Sequence, residues 1–234
     1  MTRFIFAALA VAGFMAGAAS ARADFVVDTF QEPTAAAPYQ ISLLNGVGPY
    51  TRVDPLGNGL SRTLTVGVLS PNPPLFDSAT GSNGGGLFRL NAESASTVVA
   101  NLTYTGLGSS LSGGQSVKLS FERWDSGNTF TTAPIRLAVN TASGTLTYDT
   151  MVSDSGTPFD LTIPVSAFAG SGDLSNVSSL SLDLNGPAGS REATDIRVTG
   201  ISVQQVPAPA GVIGLLAAAP LLALARRRLR RAKA

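Results

Sequence analysis

The residues able to do chemistry are few, and the densest group of them is Glu122-Arg123-Trp124-Asp125. Trp124 is the only tryptophan in the chain. An exposed indole offers a flat apolar face on which a sugar ring can stack, and flanking charged groups can hold the hydroxyls. Trp124, Glu122 and Asp125 are therefore the candidate ligand-binding residues. The competing reading is that Trp124 caps the end of the core, with Glu122 and Arg123 on the surface.

A second chemistry is glycoside cleavage, which needs two carboxyl groups roughly 5–10 Å apart, one with a raised pKa. Glu122 with Asp125, or Asp149 with Asp154 or Asp160, could be placed so. The chain has fifteen acids, so such pairs arise easily by chance. A lyase built on Tyr and Arg also survives the composition, without positive support. No catalytic residue is assigned. A third chemistry is calcium binding, since hard cations take six to eight oxygens. Asp28, Glu32 and Asp195 could form a structural calcium site at one sheet edge if the first and last strands are neighbours. No EF-hand or RTX spacing is present. The glycines at Gly84-Gly85-Gly86 are not followed by Gly-Lys-Ser/Thr, so they read as loop rather than phosphate cradle.

The absences exclude more than the presences suggest. With neither Cys nor His, the chain can build no Ser-His-Asp triad, no Cys-His dyad, no thiolate zinc site and no imidazole metal site. Disulfides cannot stabilise it, so a core of ordinary size must.

The elements that must position these residues are short strands. Leu60–Leu69 alternates, with Leu60, Arg62, Leu64, Val66 and Val68 on one side and Thr63 and Thr65 on the other. Such patterning predicts a strand with one buried face. In Val117–Trp124, Val117, Leu119 and Phe121 face one way, while Lys118, Ser120, Glu122 and Trp124 face the other. Pro134–Thr141 and Thr145–Val152 are predicted to pair through Ala142-Ser143-Gly144. Phe159–Ile163, Leu180–Leu184 and Asp195–Val203 complete the alternating set, with Gly200 marking a bulge. Asn45–Gly59 reads as a turn-rich loop and Ser70–Gly86 as the least structured stretch. About ten strands and no amphipathic helix between residues 24 and 205 predict an all-β fold, an antiparallel β-sandwich.

Both ends read as address labels. Met1–Ala23 has Arg3, an apolar run and Ala21-Arg22-Ala23, the pattern of a cleaved signal peptide. At the other end Val206-Pro207-Ala208-Pro209-Ala210 precedes an uncharged apolar run, Gly211–Ala225. Arg226, Arg227, Arg228, Arg230 and Arg231 follow. The run reaches the lower end of the roughly 17–25 residues that span a bilayer, and the arginines read as its cytoplasmic anchor. The predicted domains are thus residues 1–23, signal peptide; 24–205, sandwich; and 206–234, sorting tail. Without its ends the body has eight basic residues against fifteen acidic ones, a net charge of about −7, where the whole chain has +1. Such a body argues against nucleic acid as a partner, because phosphate binding rests on Lys and Arg.

The three-part tail resembles the PEP-CTERM sorting signal of exported proteins of Gram-negative bacteria, in the variant with an apolar residue at Ala208. The resemblance implies an exosortase-type processing enzyme and the inner membrane as partners. It also implies passage through that membrane to the cell surface or an extracellular polysaccharide matrix. The order Pro158–Phe168, Asn176–Leu184, Thr194-Asp195-Ile196 resembles the closing strands of galactose-binding-like jelly rolls, a group rich in carbohydrate-binding modules, which implies a jelly-roll-like sandwich; glycan contact through the Trp124 region would make polysaccharide the partner. The expectation is an exported, non-enzymatic surface or matrix protein without cofactor. A secreted carbohydrate-active enzyme and a ligand-free structural surface protein are the alternatives.

Overall fold

Period-two alternation becomes antiparallel strand throughout the computed structural model, which describes residues 24–31, 39–44, 49–70, 78–92, 96–108, 111, 114–127, 129–186 and 189–205. The expected signal peptide, the tail with Val206–Ala210 and Arg226–Arg231, and Glu32 lie outside the described residues.

Among the described residues there are fourteen strands: β1 Phe25–Asp28, β2 Tyr39–Leu44, β3 Tyr50–Gly57, β4 Leu60–Ser70, β5 Ser78–Gly84, β6 Leu87–Ala92 and β7 Thr97–Gly108; then β8 Gly114–Asp125, β9 Thr132–Thr141, β10 Gly144–Ser153, β11 Phe159–Pro164, β12 Ala169–Gly170, β13 Val177–Leu184 and β14 Asp195–Gln205. They form two seven-stranded sheets. The first runs β11-β8-β14-β6-β5-β2, with β1 also paired to β14; the second runs β12-β10-β9-β13-β7-β4-β3. One core of both sheets' side chains lies between them. The fold is an all-β antiparallel sandwich, and Val165–Ala167 adds a single 3-10 turn.

Cross-strand register explains the core. In the second sheet Leu137, Leu182, Leu102 and Leu64 lie side by side across β9, β13, β7 and β4. Ile135, Leu184, Ala100 and Val66 form the next row. All eight are buried. The first sheet answers with Phe88, Leu90, Val117, Leu119, Phe121, Ile196 and Val198. Each fully buried side chain of this size contributes about 1.5–3 kcal/mol, which is how a chain without cysteine holds two sheets together.

Two stretches expected to be loop are strand. β3 is an edge strand, so Pro55 lacks an N–H where its absence costs no ladder bond. It joins β4 through Asn58-Gly59, both at positive φ (52° and 78°), the conformation that two-residue hairpin turns require. β5, Ser-Ala-Thr-Gly-Ser-Asn-Gly, has no apolar alternation, but backbone ladders to β2 and β6 hold it. Pairing on both sides outweighs its poor intrinsic preference. In β14 the inward alternation slips at Thr199–Gly200, between buried Val198 and buried Ile201. There the neighbour on that side of β14 changes from β6 to β1.

The start of β1 and the end of β14 lie together, with Phe25 opposite Val203. The start of β14, the ends of β8, β10 and β13 and the start of β9 mark the opposite end of the sandwich, roughly 30 Å away at about 3.3 Å per residue.

Candidate functional site

Trp124 is not a platform. The inward phase of β8 slips at Glu122–Arg123, both partly exposed, so Trp124 follows Phe121 into the core and is 0% exposed. Its backbone N–H donates to Ser155 O at 3.0 Å, and Ser155 N–H donates back at 2.8 Å. The indole meets the Phe121 ring edge-on, centroids 5.2 Å apart, and Phe121 stacks on Phe159 at 5.0 Å. Burying the largest apolar side chain in the domain outweighs one irregular step in the strand. Trp124 caps the core, and no sugar can stack on it.

Glu122 and Asp125 do meet, on the outer face of the first sheet, and Asp195 joins them. Arg197 donates to Asp195 at 3.0 and 3.2 Å and to Glu122 at 3.5 Å. Arg123 donates to Asp125 at 2.8 Å and lies 3.7 Å from Asp195. The hydrogen bonds that Arg197 donates to Asp195 raise its pKa above the ordinary value. Each acid in this group contacts an arginine, three carboxylates sharing two guanidinium groups, so their oxygens are tied up in ion pairs rather than open to a cation.

Asp28 and Asp195, expected to share a calcium site with Glu32, do not come together. β1 and β14 are neighbours, but Asp28 lies opposite Ile201, six residues along β14 from Asp195. Asp28 is buried and already neutralised: Arg62 donates to its Oδ2 at 2.8 Å, Tyr104 Oη donates to the same oxygen at 3.0 Å, and Phe30 N–H donates to Oδ1 at 2.7 Å. Arg62, 1% exposed, also reaches Asp54 at 3.0 Å, and Arg52 holds the other oxygen of Asp54 at 2.6 Å. Guanidinium groups occupy the oxygens that a cation would need. Among the described residues no group of three metal-ligating side chains occurs.

Asp149 and Asp160, considered as a pair for hydrolysis, are held apart. Asp149 lies on β10 in one sheet and Asp160 on β11 in the other. Asp154 accepts from Ser126 N–H at 2.7 Å. Lys118 and Ser120 hold Asp160 below the usual carboxylate range, the wrong direction for a general acid.

The outer face of the second sheet is different in kind. Its register places Thr147, Ala138, Ser181, Thr103, Thr63 and Val53 in one row, and Asp149, Arg136, Asp183, Asn101, Thr65 and Thr51 in the next. Thr103 donates to Asn101 at 2.8 Å, and Asn101 Nδ2 donates to Asp183 at 2.6 Å. At the end of this polar face, remote from where β14 leaves the fold, is a hollow of about 210 Å³ lined by Pro134, Ile135, Met151, Thr150 and Gly186. Arg136 and Asp149 form its charged wall, Arg136 Nε donating to Asp149 Oδ1 at 2.6 Å. Met151 is 41% exposed. An apolar surface beside an ion pair can pack the C–H face of a sugar ring while carboxylate and guanidinium take its hydroxyls. The volume is below the about 300–1,000 Å³ of pockets for drug-sized ligands, which suits one ring of a longer chain.

This hollow was missed in the sequence because its residues lie on three segments. One signal could have found it: with Thr141 and Gly144 closing the turn, Arg136 and Asp149 each lie five residues from it, so the hairpin pairs them. Near the same end, the Arg191 guanidinium lies 4.3 Å from the Phe130 ring centre. Gly127 makes that packing feasible, because a Cβ there would fall 2.0 Å from the Glu192 carbonyl oxygen. A second cleft of about 270 Å³ lies between β1 and the β3–β4 hairpin. Its one acid, Asp28, has both oxygens engaged.

No family model matches the chain, and no curated protein matches it. Among solved structures it is similar to the family 11 carbohydrate-binding module of cellulosomal cellulase Lic26A-Cel5E of Clostridium thermocellum: 12% identity over 80% of this chain and 97% of that one, TM-score 0.42. It is also similar to a family 30 carbohydrate-binding module, 12% identical over 79% and 100%, TM-score 0.41. A family 29 module complexed with mannohexaose is 10% identical over 73% and 94%, TM-score 0.35. At such identities and scores these likenesses carry nothing about ligand or mechanism.

Proposed function

We propose that this chain is an exported, non-enzymatic surface or matrix protein whose sandwich, read as jelly-roll-like, holds polysaccharide at the Arg136–Asp149–Met151 hollow. The hollow is the observation that carries the reading: a partly apolar floor beside a charge pair, on an otherwise hydroxyl- and amide-covered face. The PEP-CTERM-like tail supplies the address, and exosortase-type processing or anchoring in the inner membrane follows from it. The hollow lies at the end of the sandwich away from the last residue of β14, which suits display to an extended polymer. A ligand-free structural role is the second reading, favoured by the burial of Trp124.

The test is affinity electrophoresis of the full chain through gels containing neutral polysaccharides. Retardation is expected in at least one gel. Asp149→Asn should weaken it roughly tenfold or more, since a hydrogen bond to a charged group contributes about 1.5–3 kcal/mol. Free migration in every gel, or retardation unaffected by Asp149→Asn, contradicts the site.

A further inference from the structure

On the outer face of the first sheet, Arg89 of β6 stands directly opposite Arg197 of β14. Their neighbours along each strand, Phe88, Leu90, Ile196 and Val198, are fully buried, so both guanidinium groups belong to the outer side. Like charges directly opposed across a strand pair are unfavourable. Arg197 is compensated by Asp195 and Glu122, on the side toward β8. Arg89 is not: its Nε is shielded from solvent and has no hydrogen-bond partner, and among the described residues no ion pair reaches it. A shielded, unpartnered donor of this kind carries a desolvation penalty. Beyond Arg89 the sheet continues into β5 and β2, Ser-Ala-Thr-Gly-Ser-Asn-Gly and Tyr-Gln-Ile-Ser-Leu-Leu, which have no charged residue. Arg89 is thus an uncompensated cation beside a second arginine, on a body with about seven excess negative charges.

We infer that Arg89, with Arg197 beside it, binds a carboxylate on the outer face of the first sheet, and that the group belongs to an acidic polysaccharide. A planar carboxylate takes two parallel N–H donors from a guanidinium. Placed between Arg89 and Arg197, it relieves the like-charge opposition of the two guanidinium groups. This inference does not rest on the hollow, which lies on the opposite sheet.

The experiment compares binding of the full chain to polygalacturonate, to its fully methyl-esterified form and to monomeric galacturonate. The expected result is binding to polygalacturonate that weakens with salt, at least tenfold weaker binding to the ester, and at least tenfold loss in Arg89→Gln. Saturation by the monomer, with no gain from the polymer, would overturn the polysaccharide as source while keeping the carboxylate site. No binding to any acid, or binding that Arg89→Gln leaves unchanged, would overturn the site itself. A thermal midpoint for Arg89→Gln equal to or above that of the parent shows that the variant folds, as removal of an opposed charge predicts. Retention of Arg89→Gln on neutral polysaccharide gels stays as in the parent, which separates this site from the Asp149 hollow.

Discussion

Two ionic groups built from the same residue types have opposite fates in this molecule. Arg62, Asp28 and Asp54 lie between the sheets with Tyr104, tying β1 of one sheet to β3, β4 and β7 of the other. Arg197, Asp195, Glu122, Arg123 and Asp125 lie on an outer face in partial contact with water. Burial decides the difference. Removing one partner of a buried pair strands the other charge in a medium that cannot solvate it, whereas an exposed pair exchanges its partner for water at little cost. The inner group is architecture; the outer faces are where ligands can compete.

That contrast is open to direct attack by mutation, beginning with its largest expected effect. Arg62→Ala should lower unfolding free energy by about 3–5 kcal/mol, because Asp28 is left buried without a counter-charge and Asp54 keeps only the partly exposed Arg52. Denaturant melts measure it, and a loss below about 1 kcal/mol would erase the distinction between the groups. Trp124→Ala should cost a similar amount, about 3–5 kcal/mol, as a cavity beside Phe121. Tyr104→Phe should cost about 1–2 kcal/mol, since Asp28 keeps Arg62 and the Phe30 N–H. Arg197→Ala on the outer face should change stability by about 0–1 kcal/mol.

The smallest effect concerns pH. Lys118 and Ser120 lower the Asp160 pKa in the folded chain, so their contribution is present above the unfolded carboxylate value. It is lost as pH falls through the lower, folded value. Asp160→Asn should therefore narrow the gap between the two proteins' melting temperatures as pH falls from 7 into the acid range. The pair is half exposed, so the gap is small at any pH.

How far these groups were legible in the sequence follows from what each depends on. Alternation placed Arg62 on the same side as Leu64 and Val66, because strand pleat alone assigns faces. It could not show that Asp28, Asp54 and Tyr104 would meet Arg62, since that depends on which strands become neighbours. The hairpin of β9 and β10 was readable from its turn, and the inward set Ile135, Leu137 and Val139 is buried as expected. Trp124 was misplaced because extrapolated alternation does not see a slip, and the slip at Glu122–Arg123 is driven by tertiary burial of the indole. β5 was missed because pairing, not composition, makes it a strand. Of the candidate site, Glu122, Asp125 and Asp195 came together as a surface linked by Arg123 and Arg197, while the hollow needed three segments brought into register.

The most direct test of the polysaccharide reading uses the chain's few methionines. Of the three, Met1 and Met15 precede residue 24, so Met151 is the body's own reporter and it lines the hollow. With ¹³C-methyl methionine labelling, titration with fragments of a retained polysaccharide should move the Met151 methyl resonance to saturation. Emission from Trp124, buried in the core, should stay unchanged. Binding that leaves Met151 unmoved, or that perturbs Trp124 instead, would contradict the account.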